Sequence, residues 1–277
     1  MNGFYWLASY PKSGNTWMRL ALWALNHGKP VDFAAFPYWI PLSASRLLFD
    51  DALGVESSDL THTEIECLRP RAFEVMARNA DQPMLRKVDE AWIRTAAGEP
   101  LFPPSVTLGT ILIVRDPRDV AVSLAHHMGM GIDEAIRAMA NPRAGFCAQV
   151  RQADHQLWRR LLTWSGHVES WLDAPDIRLL LVRYEDMIAR MPEELGRVAR
   201  FLGWDTSAAA LAAAAEEARF DRLRAQEERH GFAERPVSAE RFFRRGKAGG
   251  WRDTLSPAQA ARIESDHAAV MTRLGYL

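Results

Sequence analysis

The passage from Phe4 to Trp17 constrains this chain more than any other. An apolar run, Phe4 to Ser9, opens onto Tyr10-Pro11-Lys12-Ser13-Gly14-Asn15-Thr16-Trp17 and then onto a helical pattern. A buried strand that ends in a tight turn carrying Lys, Ser, Gly and Thr, and runs at once into a helix, aims backbone N–H groups and the positive end of the helix dipole at one place. An anionic group belongs there. The order of residues disfavours the commonest phosphate loop: Walker A needs four residues between two glycines and then Lys, whereas Lys12 precedes Gly14. The plain structural alternative is a strand-to-helix connection capped by Ser or Asn.

With 277 residues and no flexible linker dividing them, a single domain over 1–277 is expected rather than two small ones. Lys plus Arg number 34 against 35 Asp plus Glu, a net charge of −1. No global field then draws the molecule to nucleic acid or to an anionic membrane, and any basic patch is local. The first residues lack a charged n-region and the first apolar run has a strand's length, so neither a signal peptide nor a membrane anchor is expected. Cys67 and Cys147 lie far apart without metal-ligand spacing, which fits a reducing cytoplasm.

Short β-rich runs alternate with longer helical ones, the pattern of an α/β fold with a mostly parallel central sheet flanked by helices. Candidate strands are Tyr5 to Ala8, Met84 to Lys87, Thr110 to Val114 and Ile177 to Val182. Candidate helices run from Trp17 to Asn26, Pro70 to Asn79, Pro117 to His126, Phe146 to Leu172 and Pro192 to Leu202. Ala208 to Ala215, Phe220 to His230 and Pro257 to Leu274 also read as helix.

Strand Thr110 to Val114 ends in Arg115-Asp116-Pro117-Arg118-Asp119, and Ser123 falls on the second turn of the helix that Pro117 opens. Ligands in open parallel sheets bind beyond the carboxyl ends of the strands, so Lys12 and Arg115 can close on one ligand. A guanidinium fork at a strand end suits bidentate phosphate binding. For Arg118 and Asp119 the favoured reading is plain ion pairing. Near the C-terminus, Phe243-Arg244-Arg245-Gly246-Lys247-Ala248-Gly249-Gly250-Trp251 combines three cations with three glycines and can wrap an anion closely; it is expected to order only on ligand binding.

YPKSGNTW resembles the 5′-phosphosulfate loop of the PAPS-dependent sulfotransferase family, whose sulfuryl donor is 3′-phosphoadenylyl sulfate (PAPS). VRDPRDVAVS is similar to the family's 3′-phosphate motif, a match that makes Arg115 and Ser123 the contacts. The Gly-rich segment resembles the family's RKGxxGDW, with Arg245 in place of Lys and Gly250 in place of Asp. Carried over by position, Arg244, Arg245 and Gly246 complete the 3′-phosphate site. Tyr184-Glu185-Asp186-Met187 resembles YEDM, whose Tyr helps hold adenine; Phe220 and Trp17 match the aromatics on either face of the base, although such rings are more often core. The family's Thr two positions before that Phe is Ala218 here. The resemblance runs from Tyr10 to Trp251 and implies a cytosolic-type, bacterial-like enzyme with a P-loop-like fold that releases adenosine 3′,5′-bisphosphate (PAP). The family's short C-terminal dimer motif is not recognisable, since Ser256-Pro257 occupies its Thr-Val place, and the oligomeric state stays open.

Sulfuryl transfer resembles phosphoryl transfer, an in-line displacement through a loose transition state. By the match, Lys12 assists the departing bridging oxygen, while Ser13, Gly14, Asn15 and Thr16 hold the 5′-phosphate; no metal is required. The family supplies a base as His in KTH, but the corresponding run here is Lys87-Val88-Asp89, so Lys87 matches a second catalytic lysine and Asp89 stands where His is expected. A carboxylate is a weak base at neutral pH unless burial raises it. Glu90, His62, His126 and His127 are the other candidates. The aromatic passage Phe33 to Leu42 reads either as an acceptor-pocket wall or as a satellite core, and Met128 to Cys147 as an opposite wall. A small-molecule hydroxyl acceptor is implied. Rival readings are a donor-binding protein that has lost catalysis and a nucleotide kinase, which would carry Walker A and a magnesium carboxylate.

Overall fold

The computed structural model describes residues 2–148, 155–244 and 246–277. In chain order the strands are β1 (Phe4–Ser9), β2 (Met84–Val88), β3 (Thr107–Val114), β4 (Gly145–Phe146), β5 (Arg159–Arg160) and β6 (Leu179–Arg183). The helices are α1 (Asn15–His27), α2 (Phe36–Trp39), α3 (Arg46–Leu53), α4 (His62–Asn79), α5 (Pro117–Met128) and α6 (Ile132–Met139), then α7 (Trp164–Leu172), α8 (Tyr184–Leu202), α9 (Ala208–Glu217), α10 (Phe220–His230) and α11 (Pro257–Arg273). Four strands form one sheet in the order β2-β1-β3-β6. β1 pairs in parallel with β2, Phe4 opposite Met84 through Ala8 opposite Val88. The near-continuous burial of β1 and β3 suits a sheet covered on both faces.

The chain divides into two compact units. The first comprises residues 1–10, 41–112 and 141–180. Its core is aromatic: Phe4 and Trp6 stack at 4.6 Å, Phe73 of α4 and Phe102 each meet Trp6 at 5.0 Å, and Trp171 of α7 closes on Phe102 at 5.0 Å. Burying each such ring contributes about 1.5–3 kcal/mol. Trp6 donates its indole N–H to Thr107 Oγ1 at 2.9 Å, so its polar edge is satisfied.

The second unit comprises residues 11–40, 113–140 and 181–277, with α9 against both α1 and α8. Its aromatic cluster joins Phe33 and Phe36 to Phe232 and Phe243, at centroid separations of 4.7 to 6.0 Å. Phe33, Phe36 and Ile40 are buried, so these members of the aromatic passage are satellite core rather than an open wall.

Two helix expectations are corrected and a third is extended. The region from Phe146 to Leu172 is not one helix: Gly145–Phe146 pairs antiparallel with Arg159–Arg160, and the helix begins only at Trp164, where the Thr163 side chain caps Gly166 N. Helix α4 starts at His62, not Pro70. A capping box in which Thr61 and Glu64 satisfy each other's backbone N–H groups nucleates it upstream, and Pro70 is absorbed inside. The expected helix from Pro192 to Leu202 is the second segment of α8, which opens at Tyr184 and is interrupted at Arg190, non-helical at φ −153° and ψ 58°, two residues before Pro192.

Candidate active site

The anion loop is built by backbone conformation. Lys12 and Gly14 are both left-handed, at φ 71° and 106°. For Lys12 that costs about 1–2 kcal/mol, a strain of the kind concentrated at functional sites. A Cβ at Gly14 would stand 2.6 Å from Tyr184 Cδ2, so only glycine fits. Gly14 is also the N-cap of α1 and brings no side chain to that end, so the cap residue itself satisfies none of the first amides of the helix. Ser13 is buried and its Oγ has no partner among the described residues.

Arg115 reaches this loop directly. It donates from Nη1 to Lys12 O at 3.2 Å and from Nη2 to Lys247 O at 3.3 Å, and its guanidinium lies 4.2 Å from the centre of the Tyr184 ring. Its buried Nε has no partner among the described residues. The turn, the strand-end arginine and the Gly-rich segment thus meet within the second unit. Tyr184, at the head of α8, is pushed upward by burial, partly opposed by the Arg115 charge. Trp17 meets Tyr184 edge-on at 5.7 Å and donates its indole N–H to Ala218 O at 2.7 Å. Gly246, at φ 58°, leaves no room for a Cβ, which would fall 2.3 Å from the Phe220 ring. Ser123 is half-buried on α5, Arg244 is half-buried, and Arg245 lies outside the described residues.

Arg118 pairs with Asp116 at 2.8 Å and with Glu264 at 2.6 Å, the plain ion pairing expected of it. Asp119 does otherwise. Its two carboxylate oxygens accept the backbone N–H groups of Gly249 at 2.6 Å and Trp251 at 2.9 Å, because a segment rich in glycine exposes amides that need an acceptor.

The Lys12 ammonium lies 3.1 Å from His127 Nδ1 and 4.5 Å above the Phe242 ring. Burial, then the charges of Arg244 and Lys12, holds His126 below the usual histidine range. Two residues escaped the sequence reading. Thr16 donates to Glu234 Oε2 at 2.9 Å, and the fully buried Arg19 donates to Glu234 Oε1 at 2.6 Å. Nothing in the spacing of residues 215 apart announces that pair.

In the first unit, Asp89 Oδ2 accepts from Arg159 Nη1 at 2.8 Å and lies 3.6 Å from Lys87 Nζ. Arg159 is a further residue the sequence reading missed. Glu90 is committed elsewhere: both its oxygens bind buried Arg69, Ser43 donates to it at 3.1 Å, and Trp171 donates to its backbone carbonyl at 3.0 Å. That carboxylate is a structural anchor. His62 stacks on Trp158 at 5.4 Å. His167, fully buried behind Tyr10, is pushed down to about 4 by burial, while the charge of Asp89 acts in the opposite sense. Among the described residues no group of His, Cys, Asp and Glu could hold a metal ion, and no helix is long and apolar enough to cross a membrane.

A strained turn feeding helix α1, met by an arginine from the next strand end, is an arrangement in which open α/β sheets commonly hold anionic ligands. The sulfotransferase domain family matches residues 4–275. Cytosolic sulfotransferase 13 of Arabidopsis thaliana is 24% identical over 93% of this chain and 74% of its own length. Flavonol 3-sulfotransferase of Flaveria bidentis is 22% identical over 93% and 78%. The fold is shared with retinol dehydratase solved with androsterone and inactive cofactor PAP (TM-score 0.64, 20% identity, 97% of this chain and 80% of that one). It is shared also with mouse sulfotransferase SULT7A1 complexed with PAP (TM-score 0.61, 20% identity, 98% and 85%). The chain belongs to the sulfotransferase domain family and is a PAPS-dependent sulfotransferase. The nucleotide-kinase reading is thereby set aside.

Proposed function

We propose that the second unit holds PAPS through Lys12, Ser13, Gly14, Asn15 and Thr16 at the 5′-phosphosulfate, Arg115, Ser123, Arg244, Arg245 and Gly246 at the 3′-phosphate, and Trp17, Tyr184 and Phe220 at adenine, and passes its sulfuryl group to a hydroxyl of a small molecule. The observation that carries this reading is the meeting of the Lys12 turn with Arg115 at the N-terminus of α1. The orphaned Ser13 Oγ and Arg115 Nε also fit an anionic ligand, because buried polar atoms are ordinarily paired. Solved relatives carry PAP, and one of them carries androsterone, which supports a nucleotide donor and a hydroxylated acceptor.

In the reaction the acceptor oxygen forms a bond to sulfur as the bond from sulfur to the 5′-phosphate oxygen breaks, and the departing PAP keeps the electron pair. Lys12 donates to that oxygen as charge develops on it. By the family match, Lys87 is assigned the role of second lysine and Asp89 that of orienting the hydroxyl and receiving its proton late. Pairing with Arg159 holds the carboxylate in place, which suits an orienting role, and a loose transition state asks little of the nucleophile early on. Calorimetry with PAP and PAPS turnover against a panel of phenols and alcohols, read by mass for an added sulfuryl group, tests the proposal. A protein that neither binds PAP nor consumes PAPS would overturn it.

A further inference from the structure

Lys12 has two fixed ends. Arg115 binds its backbone carbonyl at 3.2 Å, while its ammonium meets His127 Nδ1 at 3.1 Å and the Phe242 ring face at 4.5 Å. An ammonium only donates, so Nδ1 must be the accepting nitrogen and the imidazole proton sits on Nε2. His127 is itself held. It lies on the last turn of α5, Ser238 Oγ donates to its carbonyl at 2.9 Å, and its ring stands edge-on to Phe242 at 6.1 Å. A long flexible lysine is thus given one direction by a nitrogen and a π-face, each of which attracts a cation.

We propose that His127 is a positioning residue for Lys12: its Nδ1, with the Phe242 face, sets the aim of the ammonium that meets the departing oxygen. The assignment rests on the sulfotransfer reading above and deepens it. It also gives a role to the second member of the His126-His127 pair that does not require it to take the acceptor proton. A misaimed catalytic group is costly: a displacement of about 1 Å can lower a rate by about 100-fold.

Two substitutions at one position test this. His127→Leu removes the accepting atom, and His127→Asn places an amide oxygen close to the position of Nδ1. The expected result is a fall in kcat of about 100-fold for H127L with donor KM little changed, and recovery to within about fivefold of the parent in H127N. PAPS turnover is read as PAP formed with the best acceptor of the panel, and PAP affinity is followed by calorimetry for both variants. An undiminished kcat in H127L, or an H127N as slow as H127L, overturns the proposal, the second outcome pointing to His127 as a proton carrier. Failure of the sulfotransfer reading is distinct: it is seen in the parent protein, as absent PAP heat or absent PAPS turnover.

Discussion

Replacing Asp89 with Asn separates what this residue does for stability from what it does for chemistry. Its carboxylate accepts from Arg159 at 2.8 Å and lies 3.6 Å from Lys87, and the Arg159 side chain is only 5% exposed. Removing one partner of such a pair costs about 3–5 kcal/mol because the remaining charge stays buried. Asn keeps an oxygen that Arg159 can still use, so the lower end, about 3 kcal/mol, is expected. For a chain of this size that is a fall in Tm of about 6–12 °C. If Asp89 also orients the acceptor and receives its proton, kcat falls by about 100-fold or more. PAP affinity should hold, since Asp89 is assigned no contact with PAP. Thermal denaturation, PAP calorimetry and PAPS turnover read the three quantities separately. Arg159→Met is the companion, which keeps the carboxylate and removes its partner. An Asn variant that melts with the parent would refute the pairing argument, and one with undiminished turnover would remove Asp89 from the reaction.

Gly246→Ala puts a methyl 2.3 Å from the Phe220 ring at a left-handed residue, so PAP binding should weaken by about tenfold or more, read by calorimetry. Glu234→Gln removes the anion that accepts from Thr16; two like unit charges about 5 Å apart repel by about 3 kcal/mol at an effective dielectric constant near 20, so PAP should bind about 100-fold more tightly even as the loss of the Arg19 partner lowers Tm. An unchanged or weaker affinity would refute that carboxylate's blocking role. His167 is neutral in the folded chain down to about 4, whereas an unfolded histidine takes its proton near ~6.5; stability is therefore full above ~6.5 and is lost as pH falls toward 4, by about 3 kcal/mol from this group. Tm measured across that window should fall less steeply in a His167→Gln variant.

The turn around Lys12 is legible in the sequence, and the reason is local. A strand, a turn with glycine at a forced conformation and a helix N-terminus are contiguous in sequence, so Lys12, Gly14 and the opening of α1 announce one another. Arg115 and Tyr184 were legible because each sits at the junction of a strand and a helix. The acceptor side was not. Asp89 is engaged by Arg159, 70 residues later and on a two-residue strand too short to leave a periodic signal. Glu234 likewise lies in an irregular stretch with no pattern to set it apart. Apolar spacing from Phe146 onward resembles a helix, yet Gly145–Phe146 pairs with Arg159–Arg160 as strands, and Pro70 resembles a helix start although the Thr61–Glu64 box upstream is the stronger signal.

Asp119 offers a last consequence. Its carboxylate collects the amides of Gly249 and Trp251, while Gly246 rests on the Phe220 ring. This corner therefore cannot close until synthesis has passed Trp251. A chain emerging from the ribosome has the opening turn well over two hundred residues before those that complete its far side, so nucleotide can reward folding only after that stretch has been made.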